Sequence, residues 1–562
     1  MDLFDCALAA RPVALTPVDS PQTLECSRTP RGHYGNASSA GSATNSEKSG
    51  RPGRPGNVLT ALKALSAMIA MIAMIAAFCV LAVPPAIPAA HGAESSADER
   101  ARHERVAAAL VEVHTHADEP DLYSPWQSLG VERYQGSGVV IEGGRILTAA
   151  HVVSHPVALT VKRQGTTKRR PARVTFVGAA CDLAIVEVDD PTFFEDVEPL
   201  KIGDLPRLGD SVTAYGFPLG GDSISVTAGI VSRIEIGEYG YSGEQLLQAQ
   251  VDAALNSGNS GGPLVADGRI VGIASEVLHS AENVGYVVPA PVIEHFLRDI
   301  EDGRVDGFPN TGIEGQPIDN RALRASLGLN EETEGTLVVR VDEGSTASGV
   351  LQPGDVLTAI DGNVIARDQS IALAGIGRIE AGYAIRRRQV GEAVTLSFIR
   401  AGKQFEREVR LRVTPRLVPD ADSTPPSYLI FGGLVFQPLT RSFLELYDDP
   451  PSHMVDLYFH RNAQTADRSG VIILSRVLPS AVNRGYEDFE EEIIARIDGR
   501  VPRDLADLTR HLDAAKGEFV QMETRQGRRV VLDRERAVAG LPRVLERYAI
   551  SSDRSPDLPR RP

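Results

Sequence analysis

The sequence predicts a mainly β protein of several domains, on three observations. Its 562 residues exceed what one hydrophobic core holds; at about 100–200 residues per domain they make roughly three to five domains. Between Gly136 and Val288, short β-branched runs alternate with Gly, Pro and Asp turns (SGVVIEGGRILTAAHVV, LAIVEVDD, SVTAYGFPLG, SVTAGIVSRIEI). That texture is an all-β barrel or sandwich. Further on, a strand–turn–strand pattern occurs twice, and VLTAIDGNVI in the first copy is echoed by IIARIDGRVP in the second.

Composition narrows the function. Hydrophobic residues at 42% and charged residues at 23% are those of a soluble globular chain, and the net charge is −16. Nucleic-acid binding rests on Lys and Arg neutralising phosphates, so nucleic acid is not an expected partner. The four cysteines (Cys6, Cys26, Cys79, Cys181) lack CxxC spacing. Neither a metal site nor a disulfide framework is expected. GSGVVIEGG has the wrong spacing for a dinucleotide fingerprint, and no GxxxxGK[ST] loop is present. No cofactor is expected. His114 and His116 read as part of a solvated arm rather than a chelating pair, and Cys181 as a small buried hydrophobe.

Along the chain, residues 1–57 are rich in Ser, Thr, Pro, Gly and Asn, without hydrophobic period, and read as a disordered leader. Residues 58–93 read as a signal peptide or membrane anchor. Ala64–Val83 carries no charge, Arg51, Arg54 and Lys63 precede it, and Pro84, Pro85 and IPAAHGA follow. Phe78 before Cys79 argues against a lipoprotein site. The protein is therefore expected to be periplasmic or otherwise exported, in a bacterial envelope. The second reading is an uncleaved inner-membrane anchor at 64–83, since twenty apolar residues can span a bilayer; the third is a buried core helix. The long leader also fits a misassigned start, with translation from Val58 or Leu59. Cleavage would leave Cys181 as the sole cysteine.

A catalytic domain is expected over 100–302. It opens with a helical pattern at 101–118 and closes with a helix at 290–301. Within it, His151 ends an apolar strand (TAAHVV), Asp182 opens another (DLAIVEV) and Ser260 sits in NSGNSGGPL. Each alone is more often structural. Together they supply the parts of nucleophilic catalysis. A serine hydroxyl needs a base, histidine titrates near neutrality, and a carboxylate holds the imidazole tautomer. Gly258 permits a tight turn that aims N–H groups at an oxyanion, and Gly261 and Gly262 permit close approach of substrate backbone. The order His, Asp, Ser differs from the Ser, Asp, His order of a GxSxG elbow.

TAAHVV, DLAIVEV and NSGNSGGPL, with VTAGIVSRI before the nucleophile and RIVGIASEV and VGYVVPAPVI after it, resemble the motif blocks of the HtrA/Deg serine proteases. The resemblance implies a chymotrypsin-like double β-barrel over about 130–300. It implies His151 as general base, Asp182 as its orienting acid and Ser260 as nucleophile, with an oxyanion hole from Gly258 and Ser260 helped by Asn259. Ala254 stands where trypsin-like enzymes carry the pocket aspartate. With Ile273 and Ala274 it implies an uncharged pocket for small or medium aliphatic side chains, which Ser275 and Glu276 could alter. GTLVVRVDEGSTASGVLQPGDVLTAIDGNVI is similar to a PDZ domain, placed at 311–415. Its peptide-binding loop falls at Thr311, Gly312, Ile313 and Glu314; the acid at Glu314 would repel a terminal carboxylate. Arg386, Arg387 and Arg388 read as a solvated face. Residues 425–545, opening with YLIFGGLVFQPLT, resemble a second, diverged PDZ-like domain of the plant-type Deg branch, where it serves assembly. PDZ-like units are α+β. Residues 546–562 read as a disordered tail.

The expected function is an ATP-independent serine endopeptidase of protein quality control. It would cleave unfolded or damaged exported proteins through an acyl-enzyme, using PDZ domains for peptide binding and assembly. The alternative is a non-proteolytic chaperone or peptide-sensing scaffold. The expected partners are unfolded protein or peptide substrates, and the resemblance implies a homo-trimer or hexamer.

Overall fold

Twelve strands in two closed barrels make the first half of the folded chain. The computed structural model describes residues 90–560, apart from 219–222, 257, 278–284 and 420–423, with backbone alone for 90–97. The expectations for the leader 1–57 and the apolar run 64–83 lie outside the described residues.

The first barrel closes in the order β1-β2-β3-β6-β5-β4. Its strands are β1 (Leu110–Pro120), β2 (Ser128–Ile141), β3 (Arg145–Thr148), β4 (Pro156–Arg163), β5 (Arg170–Gly178) and β6 (Leu183–Val188). The second closes in the order β10-β11-β12-β9-β8-β7. It is built from β7 (Ser211–Gly216), β8 (Ser225–Glu238), β9 (Gln245–Val251), β10 (Pro263–Ala266), β11 (Arg269–Val277) and β12 (Gly285–Pro289). Closure leaves no strand edge unpaired. The strands arise where β-branched and aliphatic residues cluster. Leu110, Ile146, Leu147, Leu183 and Ile185 are fully buried, each worth about 1.5–3 kcal/mol relative to exposure.

The expected helix at 101–118 is corrected. The helix runs Ala90–Ala109, and β1 begins at Leu110. Alanine and charged residues favour helix up to 109. Beyond it, LVEVHTH places β-branched residues at alternate positions, and pairing with β2 from Leu110↔Val139 to Asp118↔Val131 fixes the extended form. His114 is accordingly not on a solvated arm. It is buried in the barrel wall, its Nε2 2.9 Å from Glu112 Oε1, while Lys162 Nζ lies 2.5 Å from Glu112 Oε2. Burial holds the His114 pKa below its ordinary value.

The helix Ala290–Asp299 seals the second barrel and leads into the next domain. His295 stacks on Phe308 at 4.1 Å and its Nε2 donates to the Gly307 carbonyl, seating the linker against the helix. A sheet follows with strands Ile313–Pro317, Thr336–Val341, Val356–Ile360, Ala393–Arg400 and Lys403–Arg410 in that order, so Ile313–Pro317 lies at its edge. The second PDZ-like unit has the same succession with one strand added. Leu434–Pro438, Ile472–Val477 and the IDG strand Glu492–Ile497 repeat it, but Leu429–Phe431 is hydrogen-bonded outside Leu434–Pro438. The edge left open in the first unit is filled in the second by the chain itself.

The tail expected to be disordered from 546 is also corrected. The last helix ends at Arg547, and residues 550–558 pack back onto the second unit. Ile430 N–H donates to Asp553 O and Ser555 N–H to Tyr428 O, so the tail runs along the added strand. Leu558 enters the core, and the Arg554 guanidinium meets both Asp513 oxygens at 2.7 and 3.0 Å. A buried cation needs such a partner, which is why a polar sequence can be ordered here. Arg554→Ala is expected to lower stability by about 3 kcal/mol, because it removes the guanidinium that meets both oxygens of the Asp513 carboxylate. Urea unfolding followed by tryptophan fluorescence suits the measurement, since Trp126 stacks edge-on against Tyr428 beside the tail. An unchanged midpoint would show that the tail contributes nothing.

Candidate active site

Three segments converge between the barrels. His151 begins a short 3-10 turn just after β3, Asp182 sits just before β6, and Ser260 lies on the loop between β9 and β10. Since β3 and β6 pair directly, with Thr148 opposite Ala184, their ends place His151 beside Asp182. Asp182 adopts a left-handed conformation, φ 52°, which Asp tolerates better than most residues. That kink leaves its carbonyl to accept from Ala150 N–H, anchoring the two turns together.

The Asp182 carboxylate is fully buried and satisfied by three donors. His151 Nδ1 reaches its two oxygens at 2.8 and 3.0 Å, His151 N–H donates to Oδ1 at 3.0 Å, and the Ser275 hydroxyl donates to Oδ2 at 2.5 Å. With Nδ1–H committed to the carboxylate, Nε2 carries the lone pair that a base needs. Ser275 links this pair to the nucleophile, because its carbonyl accepts from the Ser260 hydroxyl at 3.4 Å. In the sequence, Ser275 reads only as a modifier of the pocket. Its place as a third donor to Asp182 is a contact across 93 residues, and a serine in the apolar strand RIVGIASEV was the one local hint.

The loop carrying Ser260 is stapled to the first barrel by Ser137, which is fully buried. Its hydroxyl donates to Gly258 O at 2.7 Å and accepts from Phe217 N–H at 2.8 Å, while its N–H donates to Ser260 O at 2.9 Å. Gly261 completes the fit. At φ 81°, a Cβ there would lie 2.2 Å from Ser137 O and 2.3 Å from Thr148 Oγ1, so the glycine is required by close approach of the two barrels. Gly258 also has positive φ, 98°. Among the described residues, neither the Gly258 nor the Ser260 amide donates to a protein acceptor. Two N–H groups thus remain to receive a negative oxygen. Ser137→Ala leaves Gly258 O and Phe217 N–H unsatisfied. It is expected to cost about 1–3 kcal/mol and to lower turnover, read by thermal melting beside a peptide assay; wild-type values in both would remove the staple.

Other expected site residues are placed differently. Asn259 is turned inward: its N–H donates to Asn256 O, and its side-chain Oδ1 is buried against Gly216. It does not help the oxyanion site. Ala254, Ile273 and Ala274 do not line one pocket. Ala254 is exposed, whereas Ile273 and Ala274 are buried in different clusters. Successive strand residues point to opposite faces, so these neighbours on β11 cannot share a wall. Cys181 is fully buried and donates to Gly178 O. Burial pushes its thiol far up, which makes it unreactive.

In the first PDZ-like unit, Gly312 has φ 64° and its carbonyl accepts from Asp342 N–H, while Thr311 O accepts from Ala347 N–H. Ile313 pairs with Val341, and Glu314 is met by Arg340 Nη1 at 2.5 Å. The acid that looked repulsive in the sequence is therefore countered. Arg386 pairs with Glu380, and Arg388 with Asp361 and Glu392, so the basic run is partly neutralised.

Comparison with known proteins agrees with this architecture. The trypsin-like peptidase domain family matches residues 136–273, and a PDZ domain family matches residues 418–557. Protease Do-like 2, chloroplastic, of Arabidopsis thaliana is 38% identical over 80% of this chain and 75% of its own length. Protease Do-like 4, mitochondrial, of the same plant is 34% identical over 79% of this chain and 84% of its own. Among solved structures, the HtrA-type protease AlgW with decapeptide is 25% identical, with a TM-score of 0.43, covering 56% of this chain and 98% of that one. With two barrels, PDZ-like units and this degree of identity to Do-like proteases, the chain belongs to the HtrA/Deg family of serine endopeptidases, on its plant-type Deg branch.

Proposed function

We propose that the chain hydrolyses peptide bonds of unfolded or damaged exported proteins, without ATP, through an acyl-enzyme on Ser260. One observation carries the assignment of roles: His151 is held by both oxygens of a buried Asp182, while Ser275 ties Asp182 to Ser260. His151 Nε2 takes the Ser260 proton as Oγ attacks the carbonyl carbon. The tetrahedral oxygen is received by the Gly258 and Ser260 amides. His151, now an imidazolium stabilised by Asp182, gives its proton to the leaving amine, and water repeats the sequence to release the acyl group.

The PDZ-like units divide their work in this reading. The edge strand Ile313–Pro317 supports capture of an extended peptide in the first, by addition of a strand. In the second, Leu429–Phe431 already lies along the corresponding strand, which supports a role in assembly. We extend the reading to homo-trimers or hexamers, testable by light scattering, where a monomer at micromolar concentration counts against it.

The test of the reaction uses purified full-length protein, unfolded casein and no nucleotide, with a fluorophosphonate probe in parallel. Casein fragments and a phosphonylated Ser260 located by mass spectrometry are expected. Intact casein and an unlabelled serine would reject the peptidase reading in favour of a scaffold.

A further inference from the structure

A cleft of about 510 Å³ opens beside His151, and its far wall does not belong to the protease barrels. On the near side lie His151, Ser154 and Tyr241; the far side is formed by Pro425, Pro426 and Ser442 of the second PDZ-like unit and its approach. The unit is held there from two directions. Ahead of β2, Tyr123 packs on Phe443 and Tyr447 with ring centres 6.2 and 6.5 Å apart, Gln437 Nε2 donates to Leu122 O at 3.0 Å, and Arg476 donates to Ser124 Oγ at 2.6 Å. On the other flank, the loop between β8 and β9 receives Arg441, which donates to Gly240 O at 2.6 Å. That same loop presents Tyr241, tilted over the His151 ring at 6.2 Å and hydrogen-bonded to Ser154 Oγ at 2.9 Å.

We propose that this cleft is a substrate subsite: it takes a bulky apolar side chain of the polypeptide being cut, within a few residues of the scissile bond. The inference rests on the peptidase reading and names a specificity element of the same site. Three features of the cleft support it. It is continuous with the catalytic centre, since His151 is one of its walls. Its volume falls in the range of roughly 300–1,000 Å³ that binding pockets occupy. Its walls include the rings of Tyr241, Pro425 and Pro426, with Ser154 and Ser442 as nearby hydroxyls, and the one carboxylate among its lining residues, Glu119, accepts from the Tyr134 hydroxyl at 2.7 Å. Aromatic and proline faces gain by excluding water from an apolar group. Specificity in this protease then comes in part from a domain outside the catalytic barrels.

The test compares full-length wild type with Ser442→Trp and Pro425→Trp, each of which fills the cleft from its far wall. Pro425 is exposed, so its replacement folds even if the first does not. A positional-scanning library of peptide substrates measures kcat/KM for bulky apolar against small residues at each position around the cut. Wild type is expected to favour the bulky side chain at one position by tenfold or more, the range a hydrophobic pocket provides. Both variants are expected to lose that ratio. No preference in wild type, or a ratio untouched by Trp at 425, overturns the subsite. Fluorophosphonate labelling of wild-type Ser260 separates the cases: absent labelling means that the peptidase reading has failed and the subsite with it, whereas labelling without preference means the subsite alone has failed.

Discussion

Replacing Ser260 by Ala is expected to lower kcat on casein or a peptide by about 10⁶-fold, leaving only what the oxyanion amides and binding supply. The size of the loss follows from the division of labour at the site. His151 and Asp182 exist to move one proton, and without the Ser260 hydroxyl there is no proton to move and no oxygen to form the acyl bond. The three groups act as a unit, so losing the nucleophile alone costs about as much as losing them all. Stability should hardly change. Among the described residues, the Ser260 side chain makes one long hydrogen bond, 3.4 Å to Ser275 O, while the loop is held by backbone and by Ser137. Removing such a bond is worth at most about 1 kcal/mol. Melting curves and kcat therefore give a paired readout. Cleavage by the variant at the wild-type rate would take the nucleophile away from Ser260, and a collapse of melting temperature would make the serine structural.

What the sequence made legible was whatever is written locally. Alternating β-branched runs announced the barrels, and His151, Asp182 and Ser260 each sit in a short block readable by itself. What it concealed depends on contacts between distant segments. Ser137 grips Gly258 across 121 residues, and Ser275 reaches Asp182 across 93. Neither serine names its distant partner in its own neighbourhood, although Ser275 stands out as a hydroxyl in an apolar strand. The tail at 550–558 looked disordered because its polar residues find partners only after the second PDZ-like unit has formed: Arg554 needs Asp513, and Ser555 needs Tyr428. Residues 101–118 misled because LVEVHTH satisfies a helical and an alternating pattern alike; pairing with β2 decides. The separation of Ile273 from Ala274 was legible in principle, because strand alternation forbids adjacent residues from lining one pocket.

Asp182→Asn tests the other half of the site and is expected to lower kcat by about 10⁴-fold near neutral pH. The fold tolerates the exchange, since Asn is nearly isosteric and also accepts the left-handed conformation found at this position. Its chemistry does not. The carboxylate accepts from His151 N–H, His151 Nδ1–H and Ser275 Oγ–H. An amide has one oxygen for these three donors, and its NH₂ now faces groups that also donate. The imidazole relieves the conflict by moving its proton to Nε2, so that Nδ1 accepts from the amide. That tautomer cannot take the Ser260 proton, and no buried anion remains to stabilise the imidazolium. Ser275→Ala separates tautomer control from charge stabilisation. It keeps the carboxylate and both His151 contacts, and removes one donor from a charged acceptor, worth about 1.5–3 kcal/mol. If all of that is felt in the transition state, the loss is roughly 10–100-fold. The order of the two variants is the decisive point. A deficit in Ser275→Ala equal to that of Asp182→Asn would mean that Asp182 acts mainly by holding the loop in place; a gap of two orders of magnitude or more, with both proteins folded, assigns the carboxylate to the proton chemistry of His151.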